Sequence, residues 1–291
     1  MDNRRKFPLI LSSFWLKIIA LLTMTFDHIG YSFDIDVFRI IGRIALPLFC
    51  FMIAEGAIHT KNFKKYALRL GIMASVISLA ILLSEVVPPI KEMNLQLRDE
   101  GVIFIDLLFG AVAVYCLRNK RWYVKALAIL LVAYGVTSYI VTSYECVQCG
   151  YTIHWFPYFM RTQYGWYGIV MIIGFYVAHL LTQVFINSLS STNGLDKDLY
   201  KGSNIERHAI NIISALVIAV TTVGYYICES YIAKIWGSLS LYDVQLYAII
   251  SGAFILLYNG MRGYNKKWFQ YGSYLYYPLH MIVIGIIAMF I

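Results

Sequence analysis

Between Lys17 and Arg69 the chain reads KIIALLTMTFDHIGYSFDIDVFRIIGRIALPLFCFMIAEGAIHTKNFKKYALR, two apolar runs that carry Asp27, His28, Arg39, Arg43 and Glu55 inside them. A charge in a hydrocarbon span costs several kcal/mol unless it is paired or hydrated, so each of these is a candidate functional residue. A neutral imidazole in a partly dry pocket can accept a proton from an attacking amine or hydroxyl, and a nearby carboxylate can orient it. Pairing Asp27 with Arg43 lowers the cost of burying both and leaves His28 as the titrating group. Neighbours on a helix point about 100° apart, so Asp106 from another span is as good a candidate as Asp27 to orient His28. Glu55 and His59, four residues apart, adjoin Lys61, Lys64, Lys65 and Arg69, a cluster suited to an anionic, phosphate-bearing ligand. The plainer reading makes Asp27, His28 and Arg43 ties between helices and the Lys/Arg cluster an anchor beside anionic lipid.

The elements that must position these residues follow from composition. Of 291 residues 60% are apolar and 14% charged. The apolar ones gather in continuous blocks of roughly 18 to 23, the length of a membrane-crossing helix. Continuous rather than alternating runs oppose an outer-membrane barrel. We expect an all-α integral membrane protein, a single polytopic bundle over residues 1–291. Nine spans fit best, at about 14–33, 38–58, 66–87, 102–117, 122–144, 165–186, 209–228, 242–259 and 271–291, with eight or ten also compatible. The aromatic stretch 151–159 is too short to span and is expected at the interface. Charged Arg4-Arg5-Lys6 ahead of an apolar run resembles a signal peptide, but no small-residue cleavage site follows, so it reads as a retained first span.

With a cytoplasmic N-terminus, alternate loops place fifteen Lys and Arg on that side and four on the other. This positive-inside bias sets the expected orientation, in a cytoplasmic or inner membrane. The net charge of +8 is spread over alternate loops, which argues against nucleic acid as a partner. His28, about 21 Å along its span, then lies in the outer third, level with Arg43 and Asp106. His280, which follows Pro278 in YYPLHM, falls near the middle of the last span; His154, His179 and His208 carry no such context. The histidines show no metal spacing, so no metal is expected. Walker A, GxSxG, HExxH and paired Asp-rich motifs are missing as well. Cys146 and Cys149, as CVQC in a polar loop, suggest a disulfide on the outer face.

An ordered set of segments resembles the TraX family, membrane proteins named for a conjugative-pilin acetylase and more distantly similar to acyltransferase-3 enzymes. The set comprises LKIIALLTMTFDHIG, IGRIALPLFCFMIAEG, HTKNFKKYALRL, YGWYG (Tyr164–Gly168), QLYAI (Gln245–Ile249), YNGMRG (Tyr258–Gly263) and YYPLH (Tyr276–His280). The resemblance implies acetyl transfer from cytoplasmic acetyl-CoA to an amine or hydroxyl of a peptide or glycan acceptor reached from the bilayer or the outer face. Its motifs fall on Asp27-His28, Gly42-Arg43, Glu55-Gly56 and Tyr277 to His280. On that basis His28, Asp27 and Arg43 are the expected catalytic residues, with His28 as general base. Glu55, His59, Lys61, Lys64, Lys65 and Arg69 are expected to hold acetyl-CoA, and Asp106, Tyr277 and His280 to face the substrate. Two other classes fit the same charges, a transporter with midplane sites or a non-catalytic assembly factor of a conjugation or secretion apparatus.

Overall fold

The computed structural model describes residues 9–86, 101–147, 153–194, 196–236, 243–288 and 290, and of residues 84–86, 146, 147, 232–236 and 243 the backbone alone. The Arg4-Arg5-Lys6 cluster, nearly all of the 88–101 loop and the Cys146 and Cys149 thiols lie outside that description. The described residues are helical and contain no strand beyond a single bridge between Leu11 and Tyr258. Four helices come first: α1 (Ser13–Ser32), α2 (Asp36–Gly42), α3 (Ala45–His59) and α4 (Phe63–Val86). They are followed by α5 (Ile103–Leu117), α6 (Trp122–Val147), α7 (Trp166–Asn193), α8 (Asn204–Trp236), α9 (Ser251–Leu256, entered through a tighter turn Asp243–Ile250) and α10 (Lys267–Ala288).

Among the described residues, six helical stretches are long and apolar enough to cross a membrane: Asp36–His59, Phe63–Leu83, Trp122–Glu145, Trp166–Asn193, Asn204–Tyr231 and Lys267–Ala288. The chain is therefore a multi-pass membrane protein, and its lipid-facing surface is visible in side-chain exposure. On α4 the stripe Leu68, Ile72, Val76, Leu79 and Leu83 recurs at helical spacing and stands exposed, as bilayer contact requires. The remaining apolar segments are shorter or more polar than a simple span. Ile103–Leu117 and Val244–Leu256 fall short in length, and α1 carries Lys17, Asp27 and His28 among its apolar residues.

The centre of the bundle is α3, with α1, α5, α7 and α9 packed around it. Leu48, Cys50, Phe51, Ala54 and Ala57 of α3 are buried, and so are nine of the fifteen residues of α5. Gly110 of α5 sits where a Cβ would strike the side chain of Ile172 on α7, so close helix approach depends on its bare backbone. The second span is broken at Arg43-Ile44, between α2 and α3. Pro47 is tolerated at the third position of α3 because the first N–H groups of a helix lack intrahelical partners anyway. Gly42 lies against Asp27 of α1, where any Cβ would collide with that side chain. The break and the glycine together turn the Arg43 side chain toward Asp27.

The segment 153–165 before α7 is pinned from below. Arg161 is fully buried and donates from both terminal nitrogens to Glu145, at 2.6 and 2.8 Å. Its Nε donates to the Phe156 carbonyl at 2.7 Å, and the Thr162 amide donates to Ser138 Oγ at 3.0 Å.

Candidate functional site

At one end of the bundle, Asp27 is buried and accepts ion-pair contacts from two arginines. The Arg43 guanidinium bonds Asp27 Oδ1 directly, and Arg39 reaches the same oxygen at 3.2 Å. Arg43 also donates to Gln245 Oε1 at 3.2 Å. Gln245 in turn donates to the Tyr167 hydroxyl at 3.4 Å, which meets Thr222 Oγ1 at 2.8 Å. The expected Asp27–Arg43 pair is present, and it opens a chain of buried polar groups through α7 and α8. Nothing in sequence spacing pointed to Gln245, Tyr167 or Thr222 as its members.

His28, one residue on from Asp27, faces α10. Its Nδ1 contacts the sulfur of Met281, and its ring lies 4.9 Å from that of His280 and 6.2 Å from that of Tyr277. Thus His28, Tyr277 and His280, expected from separate segments to share a site, are brought together. Asp106 is engaged elsewhere: its carboxylate accepts from the backbone amides of Gln163 at 2.7 Å and Tyr164 at 3.3 Å, which makes it an anchor for the 153–165 segment.

At the opposite end, three basic side chains gather on Glu55. His179 Nε2 lies 2.7 Å from Oε1, Arg207 3.5 Å from the same oxygen, and His59 Nε2 3.6 Å from Oε2. The expectation that the histidines do not cluster is corrected here, because α7 carries His179 to Glu55 across 124 residues of sequence. Ligand atoms of Glu55, His59 and His179 lie within 4.8 Å of one another, a donor set within reach of a divalent metal. Arg207 already supplies positive charge to the same carboxylate. Nearby, the Ser13 and Tyr258 hydroxyls meet at 2.9 Å, and burial holds the Tyr258 phenol above its ordinary range.

This cluster forms part of the wall of a cavity of 880 Å³ to which Lys17, Lys61, Lys65, Arg69, Arg207 and Arg262 also contribute. Of the six residues expected to bind a phosphate-bearing ligand, Glu55, His59, Lys61, Lys65 and Arg69 line it. Lys64 opens instead on an adjoining recess of 480 Å³ with Lys61 and Arg118. Arg207 and Arg262 entered the sequence reading only as loop charges, and Lys17 was not singled out at all. From the basic cavity a narrower, apolar one of 180 Å³ continues inward, and Lys17, Met52, Gly56 and Tyr66 line both. Its far wall includes Met24, Phe104 and Tyr277, with the Tyr277 ring 5.7 Å from that of His280. The basic cavity and the smaller apolar one thus adjoin at Lys17, Met52, Gly56 and Tyr66, and the apolar one reaches Tyr277, beside the histidine pair.

These features define a polytopic helical membrane protein with ionisable residues gathered inside its spans. The family model described as TraX protein matches residues 12–224, and the chain belongs to the TraX family. A Rickettsia prowazekii (strain Madrid E) protein, described as uncharacterized protein RP591, is 25% identical over 271 residues, 87% of this chain and 95% of that one. The probable fimbrial assembly protein FimC, serogroup H1, of Dichelobacter nodosus is 42% identical over 65 residues, 20% of this chain and 27% of that protein. The match thus spans about a quarter of FimC's length. No solved structure matches.

Proposed function

We propose that this chain is a membrane acyltransferase that takes an acetyl group from acetyl-CoA at the basic end and delivers it to an amine or hydroxyl acceptor at the histidine end. The observation that carries this reading is that the basic cavity and the apolar one share Lys17, Gly56 and Tyr66 in their linings, which we read as a neck, and that the apolar one reaches Tyr277 beside His28 and His280. Phosphates suit the mouth, where Lys65, Arg69, Arg207 and Arg262 offer charge. An uncharged pantetheine arm suits the apolar bore. Lys17 and His28 are eleven residues apart on α1, about 16 Å along its axis, so the thioester must be presented well inside the bundle.

In the reaction, the acceptor nitrogen or oxygen attacks the thioester carbonyl carbon, His28 takes the acceptor's proton, the C–S bond breaks and the CoA sulfur leaves as thiolate. Asp27, held by Arg39 and Arg43, fixes the α1 segment that presents His28. The positive-inside bias puts the basic end in the cytoplasm, where acetyl-CoA is made, and the histidine end toward the outer face of the cytoplasmic membrane. The family's association with pilin acetylation and the description of the FimC relative as a fimbrial assembly protein favour a pilin-like peptide amine as acceptor. That description equally favours a second reading, a non-catalytic pilus-assembly factor.

Release of CoA thiol from acetyl-CoA by the purified, reconstituted protein, measured with amine-bearing peptides present, separates the two. The enzyme releases thiol in proportion to acetylated peptide and loses this in His28→Ala. An assembly factor releases none, and wild-type rates in His28→Ala would remove His28 from the base position.

A further inference from the structure

His280 holds one nitrogen that the acyl-transfer scheme above leaves unused. Its Nδ1 lies 2.9 Å from the Tyr276 carbonyl oxygen, and since a carbonyl can only accept, Nδ1 carries the proton. In the neutral ring Nε2 is then a bare lone pair. That atom is buried and has no hydrogen-bond partner among the described residues, and the whole residue is only 7% exposed. Buried polar atoms nearly always find a partner, so an orphan of this kind calls for an occupant that comes and goes.

The ring is also held in place. Tyr276 stacks on it at 5.2 Å and 7° between planes, and the Tyr276 hydroxyl is tied to Thr25 Oγ1 of α1 at 2.7 Å. Fixed tautomer, fixed orientation and an open lone pair are the properties of a base waiting for a proton. The neighbour across the gap is His28, 4.9 Å between ring centroids. A His28 imidazolium formed during transfer would lie on the helix end where one carboxylate, Asp27, meets two guanidinium groups, Arg39 and Arg43, so that it would add to a charge that is already net positive.

Resting on the acyl-transfer reading, we propose that His280 Nε2 is the second proton-accepting atom of the site and completes a two-histidine relay. The acceptor's proton passes to His28 as the new C–N or C–O bond forms. It moves on, through a water or acceptor group that enters the gap between the rings, to His280 Nε2 and is returned from there to the CoA thiolate released when the C–S bond breaks. Both rings end neutral, CoA leaves as the thiol, and no oxidant or further reactant enters.

The test compares wild type, His280→Ala and His280→Asn in proteoliposomes with acetyl-CoA and an amine-bearing peptide. Asn keeps a donor for the Tyr276 carbonyl and much of the ring's volume while removing the bare nitrogen. The relay predicts that kcat falls about 100-fold or more in both variants, that KM for acetyl-CoA changes less than about twofold, and that added imidazole restores part of the His280→Ala rate in proportion to its unprotonated fraction. Wild-type kcat in His280→Asn would reduce His280 to a packing residue and overturn the relay, as would a slow His280→Ala enzyme that imidazole leaves unchanged. Failure of wild type to transfer acetyl at all would sink the acyl-transfer reading, and the relay with it. Active variants beside an active wild type would sink the relay alone.

Discussion

Asp27 and Arg43 show how far a single residue type constrains the structure. A carboxylate in an apolar run must find a cation, and the sequence offered Arg43 on the returning span; both side chains are about nine-tenths buried, at 11% and 10% exposure. Asp27→Asn should therefore cost roughly 3–5 kcal/mol, since it removes the carboxylate that neutralises the nearly buried Arg43 and the quarter-exposed Arg39, and should lower the thermal unfolding midpoint in detergent. Gly42→Ala should cost about 1–3 kcal/mol by driving a methyl group into Asp27, checked in the same measurement. At the basic end, Lys65→Gln with Arg69→Gln should raise KM for acetyl-CoA several-fold with kcat little changed. Lys64→Gln alone should do less, because Lys64 lines the adjoining recess. The charged residues were legible because their types conflict with their surroundings. His179, Gln245 and Tyr167 were not, because a histidine, an amide or a phenol in an interfacial or apolar stretch has many ordinary uses, and only helix packing shows which partner it meets.

Among the elements, the second span shows both what periodicity reveals and what it hides. The apolar run 38–58 announced a helix, and Pro47, whose ring crowds the carbonyl four residues back at Arg43, marks where it breaks; the packing of Gly42 on α1 that sets Arg43 beside Asp27 is a contact between distant segments and was not legible. The 153–165 segment is a similar case. Its aromatic residues suggested an interfacial stretch, while the Glu145–Arg161 pair and the Asp106 carboxylate that fasten it appear only once α5 and α6 are placed. Glu145→Gln should loosen this segment, leaving Arg161 buried against a neutral amide. Limited proteolysis should then cut near the exposed Trp155 faster than in wild type, while CoA binding at the far end stays the same.

For the whole molecule, charge asymmetry and cavity shape describe one axis. Lys61, Lys65, Arg207 and Arg262, drawn from three connections and the helix starts beside them that charge bias assigns to the cytoplasm, line a single cavity, so the regions that share a sign also share a place. In a background without native cysteines, Lys64→Cys should react with an impermeant thiol reagent only from the cytoplasmic side, and Asp36→Cys, exposed at the opposite turn, only from outside. The reverse pattern would invert the orientation. The cavity itself could not be read from the sequence, because it is the space left where α1, α3, α4, α8 and the 258–270 segment fail to touch.

That space is where the account can be tested most directly. Gly56 forms part of the neck, and a Cβ there would stand 2.7 Å from the Tyr66 hydroxyl oxygen, so Gly56→Leu should plug the passage without removing any charge from the mouth. The decisive measurement is transfer of labelled acetyl from acetyl-CoA to an amine-bearing peptide by wild type and by Gly56→Leu in proteoliposomes, with CoA affinity measured alongside. We predict that wild type labels the peptide, and that Gly56→Leu binds CoA within a few-fold of wild type yet leaves the peptide unlabelled. Labelling at the wild-type rate through a plugged neck, or no labelling by wild type, would contradict the path from basic mouth to histidine pair.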